Sequence, residues 1–252
     1  MASKTWLITG ASSGLGLAIA EAALQAGHKV IATARNPTKA ADENPQSQNW
    51  ATETTKKVEE AIKQAGGVID VVINNAGYSL LGSIEDTSHK FPRPHKWKNT
   101  LEYSNRAKYI CAELGLDFFL AHMQGMSESL ARELSPCGIR VLLVEPGEFR
   151  TKFLSAYIEP AAGMNKGYVG TPLEKFLQVF KSKDGKQQGD PAKAAQRILE
   201  IVTNTGMGAG KEGFLRVPLG KDCYERFWAK CESMQKNLLQ MKGIAHSTGY
   251  DA

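Results

Sequence analysis

Thr5-Trp6-Leu7-Ile8, then Thr9-Gly10-Ala11-Ser12-Ser13-Gly14-Leu15-Gly16, then Leu17-Ala18-Ile19-Ala20 is the stretch from which the fold of this chain is read. A short apolar run, a glycine-spaced turn and an alanine-rich helical run make a strand, a phosphate-binding turn and a helix. A dinucleotide pyrophosphate must lie almost against the backbone, so Gly10, Gly14 and Gly16 stand where a larger side chain would obstruct it. The helix start at Ser12, Ser13, Gly14 and Leu15 offers free N–H groups and a positive dipole to the same anion. Three glycines alone fit an ordinary strand-to-helix turn equally well, and the rest of the chain has to decide.

With 252 residues the chain is long enough for one large α/β domain with a substantial core. Lys plus Arg number 31 against 26 Asp plus Glu, and the resulting charge of +5 is mild and spread along the chain. It therefore proposes no nucleic-acid partner. The four cysteines, at 111, 137, 223 and 231, show no Cys-x-x-Cys spacing and no His or Cys cluster beside them, so no metal site is expected. They read as reduced thiols of a cytoplasmic protein. The first apolar run is already the opening strand and no later run reaches membrane-spanning length, so a membrane association is not expected either.

Outward from the turn, Gly27 is placed to end the first helix, and residues 29–34 read as a second strand ending in Arg35. An acidic residue at that point would hold the ribose hydroxyls of NAD, whereas a cation suits the 2′-phosphate of NADP. Residues 36–52 are polar, contain Pro37 and Pro45, and read as loop. Val58, Ala61, Ile62 and Ala65 recur at helical spacing, Gly66-Gly67 stops that helix, and residues 68–73 form a buried β-branched strand running into Asn74-Asn75-Ala76-Gly77.

Taken together, Thr9 to Gly16, Asp70 in Ile-Asp-Val-Val-Ile, and Asn74-Asn75-Ala76-Gly77 resemble the short-chain dehydrogenase/reductase family. The resemblance runs on to Thr87, stops, and resumes at Gly125 with a helix over residues 125–134 and a buried strand over 139–144. It implies that Asn74, Asn75, Ala76 and Gly77 lie beside the adenine-ribose side of a cofactor. It implies also that the turn containing Pro146, Gly147, Phe149 and Thr151 covers the nicotinamide end. Residues 152–190 correspond to the lid over the substrate, and Asp190-Pro191 opens a further helix. Residues 215–219 resemble the family's last strand and residues 222–241 its closing helix. From residue 152 onward the chain is most similar to a fungal-type subgroup near the retinol and 17β-hydroxysteroid dehydrogenases.

The catalytic middle is where the resemblance fails. Relatives use a serine that polarises the substrate oxygen, a tyrosine that passes the proton, and a lysine four residues on that holds the ribose and lowers the tyrosine pKa. This sequence contains no Tyr-x-x-x-Lys; counted back from Gly125, the two positions fall on Leu116 and Leu120. No serine follows the apolar scrap Tyr109-Ile110-Cys111-Ala112, and the interval is short for the usual helix, strand and loop. The gaps near residues 40–52 and 88–124 are expected to cost the sheet strands, a pattern pointing to altered splicing or a shifted reading frame.

The expected fold is α/β, a Rossmann-type doubly wound parallel sheet lacking one or two of the family's strands. It forms a single dinucleotide-binding oxidoreductase domain over residues 1–252, with 152–190 as lid and 88–124 aberrant. The expected function is NADP(H)-dependent interconversion of a carbonyl and a secondary alcohol on a small lipophilic substrate, with this chain impaired and no catalytic residue assigned. A non-catalytic NADP-binding relative is the alternative. The resemblance implies a homodimer, since relatives often pair through the helix that carries the tyrosine and lysine and its neighbour, although those are the elements disturbed here.

Overall fold

The computed structural model describes residues 2–44, 50–52, 55–77, 109–113, 120–157 and 163–250. In chain order these form β1 (Thr5–Ile8), α1 (Gly14–Gln25), β2 (Lys29–Ala34), α2 (Pro37–Glu43), β3 (Trp50–Thr52), α3 (Thr55–Gln64), β4 (Val71–Asn74), β5 (Tyr109–Glu113), α4 (Leu120–Leu134), β6 (Arg140–Pro146), α5 (Pro172–Ser182), α6 (Pro191–Thr203), β7 (Arg216–Leu219) and α7 (Lys221–His246).

The strands make one seven-stranded sheet in the order β3-β2-β1-β4-β5-β6-β7, with every pairing parallel. The chain builds outward from β1 in one direction, then returns to place β4 on the other side of β1. That reversal opens a crevice beyond the C-terminal ends of β1 and β4, where ligands of such sheets bind.

β1 shows how the two layers of helices are recruited. Alternate residues of a strand face opposite sides. Trp6 and Ile8 therefore enter a core shared with Leu15, Ile19 and Ala23 of α1 and with Ile198 and Val202 of α6. Leu7 points the other way, into a cluster with Ile31, Val58, Ile62, Ile69 and Val72. All four β1 residues are buried, as a strand covered on both faces requires. α1 stops where expected: Gly27 adopts φ +80° and its N–H closes onto Leu24 O at 3.0 Å.

The doubly wound parallel arrangement is as the sequence implies; the strand count is not. Residues 36–52 hold α2 and β3 rather than loop alone. Asn36 caps α2 by accepting from Lys39 N–H at 3.0 Å, and Pro37 occupies the first turn, so the proline that suggested a break is a helix starter. β3 pairs Trp50–Thr52 with Ala32–Ala34. The supposedly absent inner strand is also present: β5 pairs with Val71–Asn74 on one side and Arg140–Val144 on the other. Backbone ladders need no particular side chain, so a short apolar run suffices to fill the centre of the sheet. Strand loss, the premise of the splicing idea, is not observed. The segment 78–87 that continues the resemblance, Leu116, and most of 88–124 lie outside the described residues.

Smaller differences concern element limits. β4 begins at Val71, leaving Val68 57% exposed; the side chain of Asp70 accepts the Thr5 N–H at 2.9 Å, which ties the loop before β4 to the start of β1. α7 is longer than expected and buries no residue.

Candidate functional site

The turn between β1 and α1 is held from beneath by one threonine. Thr9 Oγ1 accepts the N–H groups of Asn75 and Ala76, both at 3.0 Å, and donates to Ile73 O at 3.3 Å. In return Asn75 Nδ2 donates to Thr9 O at 2.9 Å and Gly10 O at 3.1 Å. The two turns that the sequence places at the cofactor are thus locked to each other through side chain–backbone hydrogen bonds. Each is worth about 1 kcal/mol net and costs more if one partner is lost.

The glycines of the turn have a reason in the protein itself. Gly10 and Gly14 sit at φ +64° and +61°, a region that side chains rarely adopt. A Cβ on Gly10 would lie 2.8 Å from Ala76 Cα, and one on Gly16 would lie 2.6 Å from Gly10 O and run into the Asn75 amide. Close packing of α1 against the two turns, as well as room for a ligand, therefore demands glycine here. Gly14 faces across the crevice: its Cβ position is 3.4 Å from Thr151 Cβ.

α1 itself starts open. Ser13 stands at the N-cap without a side-chain hydrogen bond, and the first turn has no acidic residue. α6 provides the contrast, because Asp190 Oδ1 accepts from Ala192 N–H at 2.9 Å and Lys193 N–H at 3.4 Å. The amides that α6 satisfies with a carboxylate are, in α1, left for water or an anion. Arg35 follows the last residue of β2 and is exposed, at the same sheet edge as Gly10. The arrangement suits a phosphorylated group spanning α1's start and Arg35.

The opposite wall is the turn after β6. Gly147 N–H donates to Leu219 O at 2.7 Å, Glu148 N–H donates to Asp222 Oδ2 at 3.0 Å, and Phe149 bridges to Gly189. Thr151 caps a short 3-10 turn, its hydroxyl accepting from Phe153 N–H at 3.2 Å. Asp222, not anticipated from the sequence, is central here: a Cβ on Gly147 would collide with its carboxylate. Its only sequence signal is an acidic residue in the first turn of a helix, which fits any helix N-terminus.

Behind this turn Glu145 is buried. Arg216 bridges it, at 2.7 Å, to Glu128 of α4 at 2.5 Å, so the buried carboxylate is compensated. Cys223 donates its thiol to Glu145 O at 3.0 Å; burial, and then the nearby Glu145 carboxylate, push its pKa up and keep it protonated. A hollow of about 490 Å³ beside Glu128, Ala131, Arg132, Ser135 and Leu215 adjoins the start of β7. It lies toward the N-terminal ends of β6 and β7, whereas the crevice lies beyond the C-terminal ends of the strands.

The residues expected at a cofactor therefore lie at the C-terminal ends of the strands, on two facing walls: Gly10 to Gly16, Arg35 and Asn74 to Gly77 on one, Pro146 to Thr151 on the other. Of the two residues that the count back from Gly125 sets at the family's tyrosine and lysine positions, Leu120 is the first residue of α4 and Leu116 lies outside the described residues.

Residues 4–126 match the short chain dehydrogenase family. Oxidoreductase claN of Passalora fulva is 40% identical over 209 residues, spanning 70% of this chain and 95% of that protein. A short-chain dehydrogenase structure from Streptomyces avermitilis superposes with a TM-score of 0.80 at 28% identity, covering 98% of this chain and 99% of that one. A short chain dehydrogenase from Burkholderia cenocepacia, solved in complex with NADP, shares the fold at a TM-score of 0.62 and 18% identity, with 95% and 97% covered. On the interlocked glycine and Asn-Asn-Ala-Gly turns, the parallel sheet and these likenesses, the chain belongs to the short-chain dehydrogenase family of oxidoreductases.

Proposed function

We propose that this chain binds NADP(H) in the crevice between the α1 turn and the turn after β6. In this reading it derives from an enzyme interconverting a carbonyl and a secondary alcohol on a small lipophilic substrate, and is itself impaired in that transfer. One observation carries the cofactor reading: α1 begins without a side-chain cap beside the exposed cation Arg35. The amides of Gly14, Leu15 and Gly16, with the Ser12 and Ser13 hydroxyls, would hold the pyrophosphate. Arg35 would take the 2′-phosphate through charge-assisted hydrogen bonds. Asn74 to Gly77 would line the adenosine side, while the Phe149 backbone and the Thr151 hydroxyl would orient the nicotinamide end. The bound cofactor supplies the hydride.

The substrate would be covered by residues 152–190 within the single domain. Leu154 and Phe180 anchor that segment with Phe153, Tyr157 and Leu177, while Val169, Phe176 and Val179 remain more than half exposed, a surface suited to an apolar ligand. The reduced thiols Cys137, Cys223 and Cys231 accord with a cytoplasmic setting.

A second reading, a non-catalytic NADP-binding relative, is favoured by Leu116 and Leu120, neither of which moves a proton. Titration with NADPH and NADH, beside NADPH oxidation with a panel of aldehydes and ketones, separates the readings. Preferential NADPH binding with slow turnover supports the first, and binding with none supports the second. Failure to bind either nucleotide would overturn both.

A further inference from the structure

Within the turn after β6, alternate residues face different neighbours. Phe149 packs against the core that α1 and α6 share, and Thr151 Cβ lies 3.4 Å from the Cβ position of Gly14. Glu148 and Arg150, between and beside them, turn instead to the end of the segment 152–190. Glu148 Oε1 pairs with Lys183 Nζ at 2.7 Å, and Arg150 Nε donates to Gln187 O at 3.1 Å. The Arg150 backbone is fixed as well, its N–H donating to Gly189 O at 2.9 Å.

The Arg150 side chain is thus held at Nε and exposed beyond it. Its terminal nitrogens make no hydrogen bond or ion pair among the described residues. Arg140, Arg197, Arg216 and Arg226 contrast with it, since each directs a terminal nitrogen to a carboxylate or carbonyl of the protein. Among the described acids nearby, Glu148 is taken by Lys183, Asp190 caps α6, and exposed Asp184 makes no ion pair with Arg150. Lys152 and Lys186, both exposed and close by in sequence, add charge of the same sign. A guanidinium fixed at Nε presents its remaining N–H groups in one plane, a fork that matches the two oxygens of a carboxylate. The same segment carries the apolar surface of Phe176 and Val179, with Phe176 stacked at 6.0 Å on Phe180.

Resting on the crevice reading above, we infer that Arg150 is a specificity-determining residue on the substrate side, and that the substrate is a lipophilic carboxylic acid whose carboxylate it binds. The apolar body would lie along Phe176 and Val179. A phosphate of the cofactor is the other anion to consider, and direction disfavours it. The pyrophosphate is assigned to the start of α1, and Thr151, not Arg150, meets that turn.

Isothermal titration of the NADPH-loaded full chain with 4-oxo-4-phenylbutanoate and with its methyl ester, in wild type, Arg150→Gln and Arg150→Lys, tests this. Wild type should bind the acid about 10-fold more tightly than the ester, the scale of one exposed charge-assisted pair. Arg150→Gln should erase the difference by weakening the acid alone, and Arg150→Lys, charged but without the fork, should restore part of it. Raising KCl from about 50 mM to about 500 mM should weaken the acid and not the ester. An acid that wild type binds no better than its ester, or not at all, overturns the inference, as does a preference that survives Arg150→Gln. A loss in Arg150→Gln that falls on NADPH overturns it in favour of a cofactor phosphate. A wild type that takes up no NADPH removes the crevice reading itself, whereas NADPH uptake with acid and ester bound alike removes only the assignment of Arg150.

Discussion

α1 and α4 each follow a parallel strand of the same sheet, yet their starts have fared differently. At the start of α1 the glycines, Thr9 and Asn75 are interlocked: Gly10 and Gly16 leave no room for a Cβ, and Thr9 and Asn75 exchange hydrogen bonds across β1 and β4. At the start of α4 stands Leu120, which the reading proposed above sets at the family's lysine position. The residues that would cradle a cofactor are also those that keep two turns packed, so losing them would cost the fold. A proton-transfer pair on a helix supports nothing around it, so in the proposed reading its replacement would leave the sheet intact. Cofactor binding and chemistry are therefore separable properties of this architecture.

The sharpest way to break that contrast is Gly16→Val. With Gly10 O only 2.6 Å from a Cβ, the substitution should destabilise the chain by about 3 kcal/mol or more and abolish NADPH binding. Urea unfolding and a binding titration check it; a variant of native stability that still binds would show the turn to be an ordinary connection. On the other side, Leu116→Tyr combined with Leu120→Lys should raise NADPH oxidation by about 100-fold over wild type, the usual scale of general acid–base assistance. Unchanged turnover would mean that the segment leading into α4 does not present these positions to the crevice.

Arg35→Asp should weaken NADPH binding by roughly 30-fold while leaving NADH within a few-fold, since only the 2′-phosphate contact is removed. Equal loss for both nucleotides would assign Arg35 to the fold instead. The smallest effect concerns pH. His28 stacks on Trp6 with ring centres 5.8 Å apart, and its Nδ1 accepts the Lys4 N–H at 3.3 Å. Burial first, and the Lys4 charge second, hold its pKa below the ordinary value of about 6.5. The unfolded chain then binds the proton more readily, so this contribution is complete above about pH 6.5 and is lost as pH falls toward the folded pKa. His28→Gln should flatten that acid limb, read as urea midpoints at about pH 7.5 and about pH 5.5; an unaltered limb would exclude His28 as its source.

How far the molecule was legible in advance follows from what kind of physics set each part. β1, α1 and the glycine turn carry their reasons locally, in a continuous buried run and in left-handed backbone positions, and the structure matches them closely. α2 and β3 escaped because a seven-residue helix and a three-residue strand are too short for periodicity to show. β5 escaped for a different reason: its identity as a strand comes from the ladders of β4 and β6 on either side, and Tyr109–Glu113 by itself carries little pattern. In the site, the residues on both walls were readable from motifs. The locks were not, because Thr9 with Asn75 and Glu148 with Asp222 are separated by 66 and 74 residues. Nothing local distinguishes Asp222 from any acidic residue at a helix start.

That last pair constrains how the chain can vary. The Asp222 carboxylate occupies the space a Cβ on Gly147 would need, while also accepting the Glu148 N–H and pairing with Arg226 at 2.7 Å. Neither position is free to change first. An alanine at 147 meets a carboxylate that cannot withdraw without giving up both partners, and a shorter residue at 222 strands the amide it was holding. The two sites form an epistatic pair, so the wall facing the α1 turn and the root of α7 must evolve as one piece.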